Sequence, residues 1–170
     1  MKKVCLMMFV LFVCLSACKK AEFNNKVDDS YKKWVAFKQQ HNNSYSYIAY
    51  NSSVFGGYSE TKITVTNGKV TARDYLMGIY KPNTTILDIK VTWVENEASL
   101  NTHPNSAADV LSLDQIYTKA RTVWLKADKK NNDVYFEANN NGILSEAGYV
   151  PHGCQDDCFN GIHIKEVSPL

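Results

Sequence analysis

The sequence predicts an α+β domain: a mainly antiparallel sheet with two helices packed on one face. Three observations carry that expectation. Residues 44–95 are dominated by short stretches in which β-branched or aromatic residues alternate with polar ones, two of them joined by Asn67-Gly68. Two other stretches, near Tyr31–Lys38 and Leu113–Ala127, carry apolar residues at helical spacing instead. The order helix, several strands, helix, further strands lacks the strict strand–helix alternation of a parallel sheet.

Taken in order, the chain opens on MKKVCLMMFVLFVCLSACKK. Lys2 and Lys3 form a basic head, Val4 to Leu15 an apolar run, and Leu15-Ser16-Ala17-Cys18 a small-residue close. That order marks a secretory signal, residues 1–17. Twelve apolar residues as a helix reach about 18 Å, short of the roughly 30 Å hydrocarbon core. The closing tetrapeptide resembles a lipobox, which implies cleavage before Cys18 and lipid on its thiol. Residues 18–29 then read as a polar tether and 30–170 as one domain. The tether gives way near Asp28-Asp29-Ser30, whose oxygens suit a helix N-terminus. The helix that follows has Tyr31, Trp34 and Val35 on its apolar face, with Phe37 beside them.

From Ser44, SYSYIAY places Tyr45, Tyr47 and Ala49 on one strand face and Ser46, Ile48 and Tyr50 on the other. Phe55-Gly56-Gly57 interrupts it. Glu60–Thr66 and Lys69–Leu76 form a hairpin about Asn67-Gly68, a pair suited to the positive φ values of a type I′ turn. Gly78–Asn83 reads as a connection. Thr85–Glu95 is a further strand with Ile86 or Leu87 starting one face and Ile89, Val91 and Trp93 continuing it, and residues 96–109 form a polar loop. Ser112 with Gln115 three residues on predicts a capping box. The helix it opens has Leu113, Ile116, Tyr117, Ala120, Val123 and Trp124 on one face. Val134–Ala138, Ile143–Glu146 and Gly161–Val167 read as the remaining strands, the first two joined by a turn at Asn139–Gly142.

On Trp34, Tyr45-Ser46-Tyr47, the hairpin Ile63–Val70, Ser112–Tyr117, the strand near Tyr135, and Gly142 with Asp156 and Asp157, the chain resembles an uncharacterised family of bacterial envelope lipoproteins. The resemblance implies an envelope location and no known enzymatic activity. Residues 78–110 depart from it and read as an insertion. Lys19 and Lys20 follow Cys18 in place of an inner-membrane retention aspartate, which by the same resemblance points to the outer membrane where the cell has one.

Charge excludes one class of partner. The formal net charge is +2, and loss of Lys2 and Lys3 with the signal leaves 17 basic against 17 acidic side chains. A neutral mature chain has no basic excess for nucleic acid. Membrane attachment therefore falls to lipid at Cys18, and any further partner is expected to be an envelope protein or glycan.

Of five cysteines, Cys5 and Cys14 leave with the signal and Cys18 takes lipid. Cys154 and Cys158 remain, and in an exported domain they are expected to form a disulfide. Reduced, they could instead join His152 and His163 in a zinc shell, but the spacing is poor and oxidation removes both thiolates. A thiol enzyme or hydrolase centred on His152, Cys154 and Asp156 is the catalytic alternative, and it needs a reduced Cys154 and an orienting group. Asp156 and Asp157 lack the spaced oxygens of a calcium loop. His41 sits where a helix C-terminus favours a cation, and His103 lies in the polar loop with no partner evident. No phosphate loop, dinucleotide fingerprint or serine-hydrolase elbow occurs. No metal or organic cofactor is therefore expected. Asn42, Asn51 and Asn83 head Asn-x-Ser/Thr triplets, which matter only in a eukaryotic secretory route. The remaining candidate is aromatic: Tyr50, Phe55 and Tyr58, exposed together, would form a surface able to hold a peptide or a sugar.

Overall fold

Alternation in the central sequence is realised as one sheet. The computed structural model describes residues 23–103 and 107–170. The expected signal and Cys18 lie outside those residues. Helix α1 is described over residues 23–40. After it come β1 (Tyr45–Ser52), β2 (Gly57–Thr66), β3 (Lys69–Tyr80) and β4 (Leu87–Asn96). Helix α2 (Leu113–Thr122) and a 3₁₀ turn (Trp124–Lys126) lead to β5 (Asn132–Glu137), β6 (Glu146–Pro151) and β7 (Asn160–Pro169). The seven strands pair in the order β4-β3-β2-β1-β7-β6-β5, every pair antiparallel. The segment carrying α2 thus takes the chain from one edge of the sheet to the other, and β7 closes the middle by pairing with β1.

The β2–β3 hairpin forms as expected. Asn67 and Gly68 both have positive φ, 50° and 81°. The Gly68 N–H donates to the Asn43 carbonyl at 2.8 Å, tying the turn to the end of α1.

Inward positions of β1 and β2 make the core. Tyr45, Tyr47, Ile63 and Val65 are buried in one cluster with Trp34, Leu113, Ile116 and Tyr117. Burying so many large side chains removes apolar surface from water at about 25 cal/mol per Å², the main favourable contribution to folding. The buried tyrosine hydroxyls are satisfied. Tyr45 Oη accepts from the Leu113 N–H at 2.9 Å, the first residue of α2, and Tyr47 Oη donates to the Leu111 carbonyl at 2.7 Å. Trp34 packs edge-on against Tyr45 at 4.7 Å, and its indole N–H donates to Asp114 at 3.0 Å. The capping box at Ser112 and Gln115 is present.

Four expectations need correcting. The tether does not run to residue 29, because residues 23–29 are helical and Val27 is buried. Phe23, Val27, Ser30 and Trp34 continue one helical stripe, and Phe23 meets Phe136 edge-on at 6.4 Å. Consequently Asp28, Asp29 and Ser30 do not cap α1; they lie inside it, and Ser30 Oγ is 2.6 Å from Tyr117 Oη. Gly78 is not in a connection, since β3 runs on to Tyr80. Val123 is not on the buried face of α2; it caps the helix and is exposed, while Trp124 turns in through the 3₁₀ turn.

The reading of β4 also changes. Residues 78–110 supply this edge strand, so the stretch is integral to the sheet. Ile89 and Val91 are 55% and 40% exposed, because β4 has a neighbour on one side only and a bulge opposite Met77 and Gly78. Its inner end is polar: Glu95, fully buried, forms a bidentate pair with Arg73 at 2.8 Å for both bonds. The Asn101 and His103 N–H groups also donate to Glu95, at 3.0 and 2.7 Å, and the His103 ring stacks on Trp93 at 4.5 Å. The polar loop is therefore fastened to the sheet by the Glu95 carboxylate and the Trp93 indole, with Arg73 donating to the His103 and Ala108 carbonyls and Thr61 accepting from the Ala108 N–H.

Candidate functional site

Tyr50 and Tyr58 point to the sheet face opposite Tyr45 and Tyr47, as alternation requires. In the register, Tyr50 faces Glu60 on β2 and His163 on β7, and Tyr58 faces Gly78 on β3. Each of the four strands therefore contributes one ring to the same face, each ring near the next. Tyr80 lies 5.6 Å from Tyr58, Tyr58 6.3 Å from Tyr50, and Tyr50 5.4 Å from His163. Phe159 stacks on His163 at 4.1 Å and ends the row. Tyr50 and His163 are directly opposite, where side chains of adjacent strands repeat at about 5 Å, while Tyr50–Tyr58 and Tyr58–Tyr80 are diagonal pairs that large rings can still bridge.

Phe159 is seated by two glycines. Gly148 and Gly161 face each other across β6 and β7, and a Cβ on either would lie within 2.7 Å of the Phe159 ring. That close approach requires glycine at both positions. Just upstream, Cys154 and Cys158 form a disulfide with their Cα atoms 6.2 Å apart. The staple closes the loop that delivers Phe159 to the row.

Polar groups flank the rings. Glu60 accepts from Tyr58 Oη and from Lys165 Nζ, each at 2.5 Å. Burial and then the Glu60 carboxylate push Tyr58 up to about 12. Burial opposes ionisation of Glu60, but the hydrogen bonds from Lys165 and Tyr58 outweigh it and hold the carboxyl below its usual range. His163 Nδ1 sits 3.2 Å from Glu146, which faces Glu137 across β5 and β6. Asn139 donates to Glu137 at 2.6 Å. A cavity of about 460 Å³ is lined by Tyr50, Tyr58, Glu137, Asn139, Glu146 and Lys165. A second, about 520 Å³, is lined by Tyr58, Phe159, His163 and Cys158 among others.

Of the expected trio, the structure joins Tyr50 and Tyr58. Phe55 does not belong with them: it sits in the β1–β2 turn, 80% exposed, outside the ring contacts described. Tyr80, His163 and Phe159 complete the row instead. The sequence signal for them was weak, because His163 read as a strand residue or a poorly spaced zinc ligand and Tyr80 as part of a connection. Gly148 and Gly161, two glycines at sheet positions, were the usable clue.

The catalytic alternative finds a different geometry. Cys154 is tied to Cys158, and His152 pairs with Asp133 at 3.3 Å. Asp156 lies exposed in the stapled loop. Among the described residues no group of three His, Cys, Asp or Glu side chains is placed to hold a metal ion, and no helix is long and apolar enough to cross a membrane. His41 follows α1 directly and packs on Phe37 at 4.6 Å.

Fold and site together define a class: an α+β domain with an antiparallel sheet and a transverse row of half-exposed rings. The chain matches no protein-family model, no curated protein and no solved structure.

Proposed function

We propose that this chain is a lipid-anchored domain of the bacterial cell envelope that works by binding, without catalysis. The observation that carries the proposal is the aromatic row, since half-exposed tyrosines set side by side are a recurrent makeup of contact surfaces. The anchor is lipid on Cys18 after removal of residues 1–17, with the outer membrane as its site where the cell has one. Both helices cover the Tyr45 face of the sheet, a placement supported by the Trp34–Tyr45 contact and the Tyr45–Leu113 hydrogen bond. The row on the opposite face then points away from them toward a partner. The similarity to uncharacterised envelope lipoproteins, drawn from Trp34, the Asn67-Gly68 hairpin and the Ser112 helix, agrees with this role.

Intact mass of the membrane-extracted protein tests the reading. It should show loss of residues 1–17, added acyl chains on Cys18 and two hydrogens missing at Cys154 and Cys158. An uncut, unacylated chain recovered from the cytosol overturns it.

A further inference from the structure

The geometry points to a neutral, β-linked polysaccharide strand as the ligand of the aromatic row, lying across β3, β2, β1 and β7. This inference rests on the binding reading above and names its ligand class. Three features carry it. Successive rings from Tyr80 to His163 are spaced 5.6, 6.3 and 5.4 Å apart. The extended repeat of a β-linked pyranose chain is close to that spacing, and its flat C–H faces suit aromatic rings. The sides of the row present hydrogen-bonding groups that match hydroxyls: Glu137, Asn139 and Glu146 line the cavity beside Tyr50 and Tyr58. A carboxylate offers about four acceptor sites, so the single hydrogen bond from Asn139 to Glu137 and the single contact of Glu146 with His163 leave room for more.

Charge decides against other occupants. The cations on this face are Lys165, already held by Glu60, and Lys62 two residues along β2, against the carboxylates of Glu60, Glu137 and Glu146, so a phosphate would meet more carboxylates than cations. A peptide docking as an added strand needs unpaired backbone at a sheet edge. Here β3, β2, β1 and β7 are interior strands with partners on both sides. The row offers ring faces and polar side chains, which serve a sugar.

The test uses the full-length protein in detergent, titrated calorimetrically with cellohexaose and chitohexaose, and with maltohexaose as the α-linked comparison. Saturable binding of at least one β-linked hexasaccharide is expected, with at most weak binding of maltohexaose. Tyr50→Ala and Tyr80→Ala should each weaken it about tenfold, a change of 1.4 kcal/mol. Lys32→Ala, on the exposed side of α1 and away from the row, should leave it unchanged. Tyr80 ends β3 at 38% exposure, so its variant tests the row with the least disturbance of the fold. No binding of either β-linked sugar at millimolar concentration, or binding indifferent to Tyr80→Ala, overturns the inference. Retention of a tryptic peptide mixture in place of sugar does the same. A lipid-anchored protein that fails this test sinks the sugar alone and leaves the envelope binding role standing.

Discussion

Tyr45 and Tyr50 lie on the same strand, five residues apart, and have opposite jobs. Tyr45 is completely buried, met edge-on by Trp34, with its hydroxyl holding the first N–H of α2. Tyr50 is half-exposed, flanked by Tyr58 and His163. The residue type is the same; the strand's period of two decides which face each ring takes. On the inner face the hydroxyls of Tyr45, Tyr47 and Tyr117 are each hydrogen-bonded within the chain. On the outer face carboxylates keep unused acceptor sites. The difference teaches that tyrosine content alone says little, and that the partner of each hydroxyl says what the ring is for.

The strongest way to break this comparison is paired truncation. Tyr45→Ala should cost about 3–5 kcal/mol, the range for deleting a buried aromatic side chain. Tyr50→Ala should cost less, about 1–2 kcal/mol, because its ring is only partly buried. Urea unfolding of the two variants reads the gap; equal losses would mean that both rings are structural.

A smaller effect tests the polar end of the inner face. Arg73 beside Glu95 holds that carboxyl down to about 2, with burial opposing and the Asn101 and His103 N–H groups assisting. A lowered folded value means stability present above the ordinary carboxylate range and lost as pH falls. The contribution should therefore be complete above about pH 4.5 and fade toward pH 2. Glu95→Gln should cost about 3 kcal/mol at neutral pH by leaving Arg73 buried without its counter-charge. The variant should also flatten the acid limb of stability, which thermal melts across pH 2–6 would reveal.

The smallest effect sharpens the outer face. Tyr58 titrates near 12, raised first by burial and then by Glu60. Glu60→Gln should bring that value down without restoring an ordinary phenol, because burial persists. Ultraviolet titration of the phenolate measures it. A value unchanged by the substitution would show that Glu60 does not engage the ring.

Much of the fold was legible because its local signals agree with the final packing. Asn67-Gly68 tolerates the positive φ values its turn needs, and Ser112 with Gln115 caps α2 by chemistry contained in four residues. The failures share a cause. Asp28-Asp29-Ser30 resembled a cap because Phe23 and Val27, which carry the helix further back, find their buried partners far along the chain. Ile89 and Val91 were read onto one face because alternation assumes a regular strand, and the bulge opposite Met77 and Gly78 depends on a partner strand the sequence does not name. Arg73 and Glu95 gave no signal at all, being 22 residues apart and unremarkable until the register sets them opposite each other.

At the candidate site the same limit applies. Tyr50 and Tyr58 were found as neighbours in sequence, and Phe55 was included for that reason alone. Tyr80, His163 and Phe159 were missed because the row runs across strands, at right angles to the direction in which a sequence is read.

The sequence by itself determined the strand faces, the hairpin, the α2 cap and the expectation of an exported, lipid-bearing chain, since each depends on residues within a few positions of one another. Only the tertiary structure decided which strands became neighbours. That choice placed one ring on each of four strands in line and buried a salt bridge at the other end, because register and burial depend on contacts between distant segments.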